Sequence, residues 1–239
     1  MTGESGAGAG ADAVDEVREW DARLGWAFGL IAADAEERTE ALVRLAEAQR
    51  NVGDAARRFN EVGRATSPLG GPAQWRDPGF LDAYEAYREA GRHVLPDALW
   101  NRRHDDVTTW PGLPYALLFL EWEARFPVEW TRHAKKWGTK ELLLREVAVP
   151  GHSHPVRAKL TDLVETVVLR PYRCKDREYV RVARAVGGED LRARLETAAG
   201  SGEPWARRHA GYVLWLLDRP DVPNSVHVWQ TWLASDAEG

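Results

Sequence analysis

A single cysteine and a single methionine stand among the 239 residues. Cys174 therefore has no partner for an internal disulfide, and no methionine-rich binding surface can form. A reducing, cytoplasmic setting is expected. The opening Met-Thr-Gly-Glu-Ser-Gly-Ala-Gly-Ala-Gly lacks the basic start and apolar stretch of a signal peptide, and the longest apolar run, 116–120, is far too short to span a bilayer. Neither secretion nor membrane insertion is expected. The chain carries no Gly-x-Gly-x-x-Gly, phosphate-binding loop, Gly-x-Ser-x-Gly or His-Glu-x-x-His, so the familiar nucleotide and hydrolase signatures are missing and no cofactor is expected. Strand patterning is scarce as well. The Val-Val-Leu within 163–169 continues a helical spacing from Val156, Leu160 and Leu163.

What is present reads as an all-α protein. The composition, 44% hydrophobic and 29% charged, is that of a folded chain. Its net charge of −5 and isoelectric point near 5.9 hide an uneven distribution. Residues 1–130 hold 14 Lys/Arg against 23 Asp/Glu, residues 131–212 hold 17 against 10, and the remaining tail holds 1 against 4. A basic segment beside an acidic one can bind nucleic acid or an acidic partner, or it can be neutralised within the protein.

Residues 1–12 show no apolar periodicity and are expected to be disordered. From there to residue 66 the spacing predicts a helical hairpin. Val14, Val17, Trp20, Leu24 and Phe28 form one stripe; Leu42, Leu45, Gln49, Val52, Ala56 and Phe59 form another. Asp34, three residues before Glu37, marks the start of the second helix. Residues 67–79 hold three Pro and three Gly and read as a linker, leaving 80–239 as a helical domain. Its centre is expected where Tyr115, Leu118, Phe119, Trp122, Phe126 and Trp130 place large rings along one helical side, interrupted at Pro127.

Two stretches of the basic segment are alike. Pro155-Val156-Arg157 precedes Leu160 and Leu163, and Pro204-Trp205-Ala206-Arg207 precedes Ala210, Val213 and Leu214; a shorter helix comes before each. The run 189–195, followed by Glu203-Pro204-Trp205-Ala206-Arg207-Arg208-His209-Ala210 and Trp215-Leu216, resembles HEAT-like helical repeats. The resemblance covers 140–218, with two units and a loop-rich insert at 170–176. It implies stacked helix pairs whose faces bind other proteins; some members of that family bind nucleic acid or excise damaged bases.

Three functional readings follow. The first is an interaction or adaptor protein whose basic C-terminal face binds an acidic protein partner. The second is a nucleic-acid-binding protein, or an enzyme acting on bases, in which cations and rings suit phosphates and base stacking. For both, the candidate binding residues are Lys135, Lys136, Trp137, Arg173, Arg177, Arg207 and Arg208. The third is a helical enzyme using His104, Asp105 and Asp106, where an imidazole beside carboxylates could serve acid–base chemistry. No metal site is expected: Glu129 and His133 suit an i,i+4 ion pair, and His152 and His154 lack completing ligands. Of the twelve tryptophans, Trp20, Trp122, Trp130 and Trp215 are expected in the core, whereas Trp75, Trp100, Trp110 and Trp137 fall in apparent loops or helix ends. The oligomeric state is left open.

Overall fold

The structure, a computed structural model, describes residues 5–100 and 106–236, with side chains from 14 to 100 and from 106 to 235. Among the described residues the chain is helical and holds no strand. His104 and Asp105, like residues 1–4, lie outside them. The chain divides into two compact units, the first comprising 1–105, 110–122 and 128–134, the second 106–109, 123–127 and 135–239.

The first unit begins with α1 (Ser5–Leu24), so residues 5–12, expected to be disordered, are helical. A 3-10 stretch, Gly25–Ile31, then leads to the long α2 (Ala35–Thr66). Asp34 starts α2 as expected: its carboxylate accepts the N–H groups of Glu36 and Glu37, each at 2.9 Å. The Pro/Gly-rich stretch 67–79 lies inside this unit rather than between units. It folds into a 3-10 turn and α3 (Gly71–Gln74) before α4 (Pro78–Gly91). The Gln74 side-chain amide donates to Gly63 O and Thr66 Oγ1, and Trp75 sets its edge on Phe80 and Tyr84, so local contacts order this turn. α2 packs along α4, where Phe59 meets Phe80, Tyr84 and Tyr87. The apolar stripe of α2 is thus answered within its own unit.

α5 (Leu113–Arg125) and α6 (Pro127–His133) break where Pro127 stands, because proline cannot donate to the preceding turn. Tyr115, Leu118, Phe119, Trp122 and Trp130 are fully buried, and Trp20 stacks on Tyr115, whose hydroxyl donates to Asp21 at 2.6 Å. Three expectations are corrected here. Trp110 is buried against the edge of Trp20, not exposed in a loop. Trp215 is only half-buried, with Arg219 over its ring. Glu129 pairs with Arg38 at 3.8 Å, while the backbone carbonyl of His133 accepts from Gln49.

The second unit contains α7 (Trp137–Val147), α8 (His154–Val168), α9 (Tyr179–Val186), α10 (Glu189–Ala199), α11 (Pro204–Leu217) and α12 (Val226–Asp236). α10 packs on α11, α8 on α9 and α10, and α7 on α9. Arg194 ties α8 to α10 by pairing with Asp162, Glu165 and Asp190. Arg184 donates to the carbonyls of Leu216, Arg219 and Val222, satisfying the end of α11 and the turn beyond it. No helix among the described residues is long and apolar enough to cross a membrane.

Gly112 illustrates how tightly the aromatic core of the first unit is closed. A Cβ at this position would lie 2.4 Å from the Trp110 ring and 2.7 Å from that of Trp20. Gly112→Ala is expected to destabilise the protein by about 1–3 kcal/mol through overpacking, read as a lower urea midpoint with far-ultraviolet circular dichroism unchanged in native buffer.

Candidate functional site

The loop 169–178 holds the densest chemistry in the second unit. At its base the Lys140 ammonium is wholly shielded from water and uses all three of its donors. They go to Asp176 Oδ1 at 2.6 Å, Glu123 Oε2 at 2.8 Å and the Cys174 carbonyl at 3.2 Å. Arg170 forks onto both oxygens of Asp176 and reaches Glu123 at 3.0 Å. Arg173 donates to Glu123 Oε1 at 2.8 Å and to Pro127 O, and its backbone N–H goes to Asp176 Oδ2. Lys140 and Arg173 both lie over the ring of Trp137. With four hydrogen bonds to Asp176 and three to Glu123, this arrangement fastens α5, α7 and the loop together.

A second ring of ion pairs surrounds the first. Arg145 and Arg181 pair with Glu178, and Lys175 pairs with Glu141, whose carboxyl is held below its ordinary range chiefly by the hydrogen bond from Lys175. Much of the basic segment is therefore neutralised by its own unit. Of the expected binding residues, Arg173 belongs to the buried network and Trp137 supplies its aromatic cover. Lys135, Lys136, Arg177 and Arg208 form no ion pair among the described residues, and Arg207 makes only a long bond to Gly202 O. Lys135 and Lys136 are exposed just before α7; Arg207 and Arg208 are exposed in the first turns of α11 beside the half-exposed Trp205.

Next to this network, on the other side of the loop, opens a small cleft with a cavity volume of about 40 Å³. Val167 and Val168 of α8, Tyr179 and Val180 of α9, and His209, Tyr212 and Val213 of α11 form its walls, with Trp229 of α12 and the loop residues Tyr172, Asp176 and Arg177. The rings interlock: Tyr172 meets His209 at 5.6 Å between centroids, His209 meets Trp229 at 6.0 Å and Trp229 meets Tyr212 at 4.6 Å. Two polar atoms of the lining, Tyr179 Oη and Arg177 Nε, are buried and make no hydrogen bond. Leaving such atoms unsatisfied costs about 1–3 kcal/mol each. Burial also raises the Tyr179 phenol well above its usual pKa and takes Tyr212 to about 12, keeping both neutral donors.

His209 is the titrating group of the cleft. Desolvation lowers its pKa below 6.5; Asp176 opposes this, while Arg170 and Arg208 add to it. The imidazole is neutral at physiological pH and presents an apolar ring face to Tyr172 and Trp229.

The proposed acid–base centre gains no support. Asp106 is exposed, and the N–H and hydroxyl of Thr108 bond to its carboxyl and hold it below the usual range. Its expected companions His104 and Asp105 lie outside the described residues. Among the described residues no group of three or more His, Cys, Asp or Glu is placed to hold a metal ion. A second cleft, in the first unit, is lined by Glu16, Glu19, Glu85, Glu89, Arg23, Arg88 and Arg92 over Trp20 and Trp110. Its charges partly cancel, since Arg92 pairs with both Glu19 and Glu89.

Sequence reasoning missed Glu123, Lys140 and the cleft residues His209, Tyr212 and Trp229. The signal for Glu123 was its place in Leu-Leu-Phe-Leu-Glu-Trp-Glu-Ala, where a charge interrupts the most apolar helix of the chain. Compared with known protein families, curated proteins and solved structures, the chain matches none.

Two outcomes are expected. Glu123→Gln removes one of the two carboxylates that neutralise the buried Lys140 and should cost about 3–5 kcal/mol in urea unfolding, whereas Arg192→Ala, which removes the exposed pair with Asp218, should cost under about 1 kcal/mol. For His209 the unfolded chain takes up its proton first as pH falls below 6.5, because the folded pKa is lower. Stability should be full above 6.5 and decline below it, until the folded pKa is passed. His209→Gln should flatten that part of a melting-temperature profile.

Proposed function

We propose that the protein is a helical adaptor, built in its second unit from HEAT-like helix pairs, that binds an acidic protein partner. The observation that carries this reading is which cations are left over after internal pairing. Lys140, Arg145, Arg170, Arg173, Lys175 and Arg194 are consumed by carboxylates of their own unit. Arg177, Arg207 and Arg208 form no ion pair among the described residues; Arg177 and the exposed Tyr172 line one aromatic cleft, and Arg208 stands beside its wall residue His209 on α11. On α11, Trp205, Arg208, His209 and Tyr212 recur at helical spacing, so cation, ring and cleft wall share one side of the helix.

A surface of this kind, a few free cations around exposed rings, suits a short acidic protein segment. A phosphate backbone asks for a longer cationic track, and internal pairing removes much of what the sequence offered for one. An acidic isoelectric point near 5.9 supports the same choice.

The reading is tested with a labelled peptide carrying Glu and Asp around a central Leu, titrated alongside its Gln/Asn counterpart, duplex DNA and single-stranded RNA at two salt concentrations. The acidic peptide should bind, its neutral counterpart should bind at least about tenfold more weakly, and Arg207→Glu with Arg208→Glu should abolish the difference. Salt-dependent binding of DNA or RNA with none to the acidic peptide would overturn the proposal in favour of a nucleic-acid face.

A further inference from the structure

The apolar walls of the cleft and the cations beside it together describe the partner. We infer that the cleft formed by α8, α9, α11 and α12 takes one large apolar side chain of the acidic segment, while Arg177 and Arg208 engage carboxylates flanking that residue. This rests on the adaptor reading above and specifies what the partner must contain.

Three features of the cleft support it. Its walls are valines and aromatic rings, with Asp176 already saturated by Lys140, Arg170 and the Arg173 backbone, so the interior favours an apolar occupant. The cleft is small, with a cavity volume of about 40 Å³, so it can admit one side chain at most and not a folded surface. Its rim is cationic: Arg177 lines the opening with a buried, unbonded Nε, and Arg208 is near enough to His209 to depress its protonation. An apolar pocket edged by guanidinium groups that form no close ion pair is complementary to an apolar residue edged by carboxylates.

The wall supplied by α12 has the looseness such an entry requires. Among its described residues none is fully buried, and Trp229 and Trp232 hold it to α11 through ring contacts with Tyr212. Tyr172, on the opposite rim, is nearly half exposed. These two partly exposed rings, Tyr172 and Trp229, border the cleft.

The experiment uses the full chain and a set of acidic peptides identical except at the central position, which is Leu, Trp, Ala or Gly. Binding is followed by calorimetry and by the protein's own tryptophan emission for the Leu, Ala and Gly members. Leu and Trp should bind about tenfold or more tighter than Gly, the advantage expected of burying one large apolar side chain. Tyr172→Ala and Trp229→Ala, each checked for an unchanged melting temperature and circular dichroism, should erase that preference and leave a weaker, salt-sensitive attachment. His209→Phe, which keeps the ring, should retain it.

Equal binding of the Leu and Gly peptides would overturn the anchor while leaving the adaptor reading in place. A Leu preference untouched by both rim substitutions would place the anchor elsewhere and overturn this cleft as its seat. A Leu preference equally strong in Gln/Asn peptides would overturn the flanking role of Arg177 and Arg208. Absence of binding by every acidic peptide would overturn the adaptor reading, and the anchor with it.

Discussion

The second unit is organised around a buried ammonium. Lys140 is removed from water at a cost of several kcal/mol before any partner is counted. That cost is offset only because Glu123, Asp176 and the Cys174 carbonyl converge on its three donors, and because Arg170 and Arg173 donate further hydrogen bonds to the two carboxylates. Each member is tolerable in place only while the others are present. The loop 169–178, which carries three of the five charged groups, is therefore held by electrostatics rather than by apolar packing. Its backbone reflects this, with Lys175 in the left-handed region at φ 69° while its side chain pairs with Glu141.

Fixing the loop fixes the cleft. Asp176 faces the ammonium on one side and lines the apolar pocket on the other, so the network orients the wall that carries Tyr172 and Arg177. The same pairing decides which cations remain available. A segment carrying seven more basic than acidic residues would suggest a broad positive face. Once the ion pairs form, the cations left without one among the described residues are scattered, among them Arg132, Lys135 and Lys136 ahead of α7, Arg157 on α8, Arg177 in the loop beside the cleft, and Arg207 and Arg208 on α11. Charge summed along a chain measures potential only when the charges are not spent on one another.

Much of the local structure was legible in the residues. Asp34 caps α2 where its side chain and the following Glu residues indicated, Pro127 divides α5 from α6, and the ring-bearing side of 115–130 is buried. Trp110 and Trp215 show where such reading stops. Both sit in sequence contexts that suggest the opposite of what they do, because burial of a large ring depends on what packs over it, and that partner is distant in the chain: Trp20 lies over Trp110. The Pro/Gly-rich stretch 67–79 likewise has the composition of a linker, yet Gln74 and Trp75 give it contacts that order it within one unit.

Two of the candidate binding residues are drawn into internal contacts. Arg173 and Trp137 were expected to face a partner and instead belong to the interior network; Arg177, Arg207 and Arg208 keep the availability expected of them. By itself the sequence determined the helical character of the chain, the capped start of α2, the break at Pro127 and the bias of charge toward one segment, because these depend on residues within a few turns of each other. Which cations are neutralised, which rings line a pocket and which polar atoms are buried without a partner were decided only by tertiary structure. Glu123, Lys140 and Asp176 are far apart along the chain, and a charge's availability is set by the carboxylate that the fold brings to it through space.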